Sequence, residues 1–230
     1  ASIIMKTRQD FRVKIRAVSA AQHHPAKGAR IFMQYDKQQV AEKLNRWEHF
    51  LEFYRLPEWD DLPQIDLYLD QVIALVNQYL GFFVYDPAEE KLLTPSMVNN
   101  YVKLRLIPAP VRKKYGRRHI ALLLMVCTFK QSVSMAAMSE MLPPDDEELI
   151  HQEYVRYTAS FLRISRYVVQ QAKASAAPIY DETSNTGTEV SDLVVGSAIA
   201  ASFARLLAGK LIALHLPSKL ETLDETFHRE

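Results

Sequence analysis

Apolar side chains recur at three- and four-residue spacing in several stretches of the chain, and each stripe marks the buried face of an amphipathic helix. Val40, Leu44, Trp47, Leu51 and Tyr54 predict a helix over 36–54 with Asp36 as its N-cap. Leu69, Val72, Ile73, Val76 and Leu80 predict a second over 67–80, capped by Asp66 and ended by Gly81. Met97, Val98, Tyr101 and Leu104 predict a third, with Thr94 at its N-cap and Pro95 at the first helical position, where a missing N–H costs nothing. Ile150, Tyr154, Tyr157, Phe161, Ile164 and Val168 line one side of a long helix over 147–173. Trp47 and Trp59 read as packing residues.

Two further segments are apolar nearly all round. Ile120 to Phe129 has no polar face, so it must be enclosed. Leu193 to Leu216 is long enough to cross a bilayer and carries Gly196, Ala200, Ala204 and Ala208 at every fourth position. Arg205 and Lys210 interrupt it, and each costs about 2.5–3.5 kcal/mol at a bilayer centre. The expectation is therefore a helix buried at a dimer or intradomain interface, not a membrane span. Between these elements, 86–90 is a polar turn, 134–141 a short helix, and 174–192 a connector rich in Ser, Thr, Ala and Asp. Pro143-Pro144 followed by four acids is the clearest boundary.

The chain is thus mainly α. The pattern divides it into a basic, irregular arm over 1–32, a leading helix within 33–60, a central module over 61–142 and a helical region over 143–230. The arm holds Arg8, Arg12, Lys14, Arg16, Lys27 and Arg30. Such a segment suits a disordered tail, a transit peptide or a flexible arm for DNA, or residues upstream of a start at Met33.

A net charge of +1 conceals a strong asymmetry. Residues 94–130 contain eight Lys/Arg and no Asp or Glu, whereas 33–93 hold five against twelve acids and 131–230 eight against fourteen. A basic patch on an acidic body orients an encounter with a polyanion. The only cysteine, Cys127, lies inside an apolar helix, so it reads as a buried thiol and the cytoplasm as the compartment. Asp66 and Asp70 lie four apart, but no His or third carboxylate follows at ligand spacing, so capping or solvated acids are expected. The chain has no nucleotide-binding glycine pattern, no HExxH and no CxxC. Neither enzyme chemistry nor a cofactor or metal is expected.

The basic stretch itself parses as helix, proline-bounded hairpin, helix. Ser96, Asn99, Asn100 and Lys103 fall opposite the apolar face of the first helix and offer amides, a hydroxyl and a cation. Such groups hydrogen-bond base edges, Asn pairing bidentately with adenine, and they also reach phosphates. Pro108 and Pro110 stop the helix, and Arg112, Lys113, Lys114 and Tyr115 follow before Gly116. Arg117 and Arg118 open the next helix.

This arrangement resembles the winged helix-turn-helix of MerR-type transcription regulators. Asn99-Asn100-Tyr101 stand where that family has Arg-Tyr-Tyr, Leu106-Ile107-Pro108-Ala109-Pro110 match its LLPPP, and Lys113-Lys114-Tyr115 match its RxY. Asn99 replaces the usual Arg, and Gly116 the usual capping Ser. More closely, Leu62 to Val72, Leu92 to Tyr115 and Phe129 to Met135 are similar to the domain of unknown function 1836, a bacterial family regarded as MerR-like DNA-binding regulators. The resemblance covers roughly 59–142.

What it implies is a sequence-specific regulator of transcription that binds double-stranded DNA as a homodimer. Repression by occlusion is expected, since the departures give no reason to expect promoter realignment. Ser96, Asn99, Asn100, Tyr101 and Lys103 would face the major groove or its rim, with Tyr101 partly packed. Arg112, Lys113, Lys114 and Tyr115 would meet phosphates from a wing over 108–116, and Arg117 or Arg118 from the next helix. The region 143–230 would dimerise the protein or take a small-molecule or protein effector. The alternative is an adaptor that uses a degenerate winged helix to bind an acidic protein; a regulator tethered to a membrane by 193–216 is a third reading.

Overall fold

The computed structural model describes residues 35–214 apart from 85, 87, 89, 182 and 184–187. The basic arm over 1–32, and residues 215 and 216 of the expected apolar helix, lie outside the described residues. The described residues from Asp36 to Leu214 belong to one unit, and Tyr35 lies outside it.

The chain is mainly helical. Helix α1 (Lys37–Phe53) begins at Asp36, whose carboxylate accepts from the Gln39 N–H at 3.1 Å. Strand β1 (Leu67–Tyr68) leads directly into α2 (Leu69–Leu80). Helix α3 (Pro95–Lys103) is followed by strand β2 (Lys114–Tyr115), α4 (Arg117–Phe129) and the short α5 (Met135–Ser139). Helices α6 (Glu147–Tyr180) and α7 (Glu189–Leu214) complete it. The two strands form an antiparallel pair with Leu67 opposite Tyr115 and Tyr68 opposite Lys114.

The core is organised around α4. Every residue from His119 to Cys127 is buried, as an all-apolar helix requires. Val72, Val76 and Leu80 of α2, Val98 and Tyr101 of α3, and Ile150, Tyr154 and Tyr157 of α6 join it in one cluster. The polar tips of the large aromatics find partners, as buried hydroxyls must. The Tyr154 hydroxyl donates to the Pro57 carbonyl at 2.9 Å. The Tyr157 hydroxyl donates to the Leu124 carbonyl at 3.3 Å and lies 2.7 Å from the Thr128 hydroxyl. Burial pushes the Cys127 thiol up to about 12, so it remains protonated inside the core.

Several sequence expectations need correction. Asp66 does not cap α2; the helix starts two residues later, where the Gln71 side chain accepts from the Tyr68 N–H at 2.9 Å, because 67–68 is used as a strand. On α1 the expected stripe holds at Val40, Leu44, Leu51 and Tyr54 and departs at one position. Trp47 is 41% exposed, and Glu48 turns inward instead, accepting from the Tyr180 hydroxyl at 3.2 Å and pairing with Lys173 at 3.7 Å.

The span expected as a connector, 174–192, is mostly helix. Ala176 and Ile179 are buried, so α6 runs on to Tyr180 through Pro178. Alanine is the strongest helix former, and the burial of Ala176 and Ile179 outweighs the hydrogen bond that Pro178 forfeits near the end of the helix. The stripe of α6 also moves, because Ile164 and Val168 are 53% and 44% exposed while Val169 is buried. Lastly, α7 is not an interior helix of its own chain. Val195, Ile199, Phe203, Leu207 and Leu211 are all more than half exposed.

Candidate nucleic-acid interface

Helix α3 owes its start to Thr94, whose hydroxyl accepts from the Met97 N–H at 3.3 Å, and to Pro95 behind it. Val98 and Tyr101 anchor it in the core. Ser96, Asn99, Asn100 and Lys103 are all exposed and, at spacings of three and four, share one face. That face has the chemistry the sequence expected. Its margin is wider than expected, since Leu104, assigned to the apolar side, is 47% exposed.

The helix closes on a left-handed residue. Arg105 has φ 57°, its N–H reaches the Val102 carbonyl at 3.0 Å, and the next N–H, of Leu106, reaches the Tyr101 carbonyl at 2.9 Å. This is a Schellman closure, and buried Leu106 and Tyr101 supply its usual apolar contact. Leu106 and Ile107 then plunge into the core before Pro108 and Pro110.

Val111 and Lys114 exchange a pair of backbone hydrogen bonds at 3.0 and 2.9 Å around Arg112 and Lys113, whose φ values are 51° and 63°. The hairpin therefore has a two-residue turn with the twist that suits its flanking strands. Pairing with β1 fixes its root, and the buried Tyr115 ring pins it to the core. Gly116 permits this approach, because a Cβ there would lie 2.7 Å from an Asp66 carboxylate oxygen.

His119 ties the two ends of the hairpin together. Its Nδ1 accepts from the Gly116 N–H at 3.0 Å, so Nε2 carries the proton and donates to the Ala109 carbonyl at 3.4 Å. Burial lowers its pKa by more than the hydrogen bond to the Ala109 carbonyl raises it, and the Arg118 charge adds to the lowering. A folded pKa below the unfolded value means that the unfolded chain takes the proton first. The contribution of this group to stability is complete above the unfolded pKa of about 6.5 and is lost as pH falls through that value toward the folded one. The urea midpoint should accordingly drop between about pH 7 and pH 5 by more in the native protein than in His119→Gln. Parallel pH curves for the two proteins would show that His119 does not hold the hairpin.

The eleven residues expected at the interface divide into three groups. Ser96, Asn99, Asn100, Lys103, Arg112 and Lys113 are exposed. Tyr101 and Tyr115 are 2% and 3% exposed, so neither reaches a ligand; burial raises the pKa of both, that of Tyr101 to about 12. The remaining three are cations already engaged. Lys114 sits over the Tyr68 ring with its ammonium 5.3 Å from the centroid. Arg117 lies over Trp59 at 5.4 Å and pairs with Asp60 at 3.6 Å, and Arg118 donates to Asp145 at 2.8 Å. These acids lie outside the acid-free stretch, and only folding brings them to it. Arg105 and His119 were missed, since neither a left-handed helix end nor a reciprocal histidine cap has a local sequence signature here.

Set against protein-family models, residues 57–161 match the domain of unknown function 1836. This segment is a DUF1836 domain. The match begins just before the Trp59 turn and ends within α6, so the DUF1836 domain takes in α2 to α5, the hairpin and the part of α6 that covers α4. No curated protein and no solved structure matches the chain. Among the described residues of the DUF1836 domain and its flanks, no three His, Cys, Asp or Glu side chains gather as a metal site would require.

Proposed function

We propose that the DUF1836 domain is a MerR-like winged helix-turn-helix that binds double-stranded DNA in a sequence-specific way, and that the protein is a transcriptional regulator, by preference a repressor acting through occlusion. Helices α2 and α3 are the helix-turn-helix, and 108–116 is the wing. The observation that carries this reading is the α3 face. Ser96, Asn99, Asn100 and Lys103 are exposed in one row while Val98 and Tyr101, on the other side of the same helix, are buried. A helix held by its back, with amides and a cation to the front, is what a major groove accepts.

Among the described residues of 94–130, Lys103, Arg105, Arg112 and Lys113 are free to meet phosphate, and Lys114 joins them as a fifth on leaving Tyr68; Arg117 and Arg118 serve the fold. Neutralising five phosphates gives a log–log salt slope of about −4.5. Asn99→Ala or Asn100→Ala should cost about 1–3 kcal/mol on the operator and little on random duplex. Binding that is steeply salt-dependent but equally weakened on both DNAs would instead favour an adaptor for an acidic protein.

Dimerisation belongs to the same proposal, and we assign it to α7. Its 26 residues span roughly 39 Å at 1.5 Å per residue. Large apolar side chains stand exposed along it, and Gly196, Ala200, Ala204 and Ala208 leave room for a close neighbour. The helix is long and apolar enough to cross a membrane, yet Arg205 and Lys210 make that costly. A second copy related by a two-fold axis buries the same surface twice and leaves both cations at the rim. Two recognition helices would then meet half-sites one helical turn, about 34 Å, or a multiple apart.

A further inference from the structure

Among the described residues that are not glycine, positive φ occurs at three positions, and all three are cations: Arg105, Arg112 and Lys113. Left-handed backbone crowds Cβ against the following carbonyl, so Gly, Asn and Asp are its usual occupants. Each position here has a favoured alternative. Arg105 stands just beyond the C-cap of a Schellman closure, where glycine predominates. Arg112 and Lys113 are the central pair of a two-residue hairpin turn with both φ values positive, for which Asn-Gly is preferred.

Nothing among the described residues accounts for the choice. All three side chains are exposed, so packing does not require them. No side-chain hydrogen bond or ion pair is formed by any of the three among the described residues, in contrast to Arg117 and Arg118. Arg105 gains something from the C-terminal end of the α3 dipole, but Arg112 and Lys113 adjoin no helix end. What the three share is a long side chain with a full positive charge, in a stretch of 37 residues without an acid. Disfavoured backbone at exposed positions is tolerated where the side chain has work outside the fold.

We propose that these three left-handed corners are phosphate contacts kept cationic at the expense of stability, and that Arg105 is a DNA-backbone contact at the end of the recognition helix. The inference rests on the nucleic-acid reading of the same module. It deepens that reading by opposing two quantities, because at these positions the substitutions that relax the backbone remove the binding charge.

The test compares the full-length protein with Arg105→Gly, with the double variant Arg112→Asn and Lys113→Gly, and with all three changes together. Urea unfolding is measured alongside binding to a labelled random-sequence duplex across a salt series. The expected result is a higher unfolding midpoint in each variant together with weaker binding. The salt slope should shrink by about 0.9 for each cation removed, which for the triple variant amounts to roughly 500-fold in affinity at about 0.1 M salt. Arg105→Lys should keep the slope of the native protein. A triple variant that is more stable yet retains the native slope overturns this inference and leaves the DNA reading standing. A native protein that shows no salt-dependent duplex binding overturns both.

Discussion

Leu123→Ala should lower the unfolding free energy by about 2–5 kcal/mol, read as a shift of the urea midpoint at unchanged slope. Leu123 is fully buried near the middle of α4, where its neighbours from Ile120 to Cys127 are also enclosed. Removing its branched end deletes transfer free energy and leaves a cavity, and the second term is large because α2 and α6 flank α4 from different elements and cannot both collapse inward. The loss is a large part of the 5–15 kcal/mol that holds a typical domain folded. The α3 face and the hairpin share this core through Val98, Tyr101 and Tyr115, so DNA binding should fail at a lower urea concentration in the variant as well. A cost below about 1 kcal/mol would mean that α4 is not the enclosed centre of the domain.

Phe203→Glu should dissociate the protein at concentrations where the native chain is a dimer. Phe203 is 66% exposed on α7, with Ile199, Leu206 and Leu207 around it. Truncating an aromatic anchor at an interface centre typically costs 2 kcal/mol or more, and a carboxylate there adds an unpaired charge. The dimer dissociation constant should therefore rise by roughly 30-fold at least. Sedimentation velocity on both proteins reads this directly, and operator affinity should fall with it because two half-sites no longer act together. A native protein that is monomeric but floats with lipid vesicles, and a variant that does not, would replace the dimer by a membrane attachment.

How far the sequence reached depends on how local each signal is. The caps at Asp36 and Thr94 are contacts between a side chain and an N–H three residues on, and both form as their residue types indicate, whereas Asp66 caps nothing because 67–68 pairs as a strand. The enclosed nature of 120–127 was equally legible, since a helix without a polar face has no alternative in water, while Thr128 and Phe129 at its end are half-buried. Stripes failed where tertiary partners overrode periodicity. Glu48 is inside because Tyr180 and Lys173 reach it from a helix more than a hundred residues away. The 174–180 segment was misread because its Ala and Ser content fits a linker as well as a helix, and only contact with the rest of the fold decides between them.

The interface shows the same division. The exposed row on α3 followed from helical spacing alone. The engagement of Arg117 by Asp60 and Trp59, and of Arg118 by Asp145, was invisible because each partner is remote in sequence. The hairpin was placed by its prolines, but Arg-Lys at its tip is the opposite of the Asn-Gly signal that announces such a turn. Where local preference and structure disagree most sharply, at Arg105, Arg112 and Lys113, the disagreement marks the residues assigned to phosphate.

The central claim is that the α3 face reads sequence. Its most direct test is to incubate the full-length protein with fragmented genomic DNA of its source, recover and sequence the bound fragments, and run Asn99→Ala/Asn100→Ala beside it. The expected result is a small set of sharp, near-palindromic sites that disappear in the double variant while salt-labile background binding persists. Diffuse recovery that is the same for both proteins would contradict it, leaving the basic stretch as an electrostatic surface and the α3 face without a role in readout.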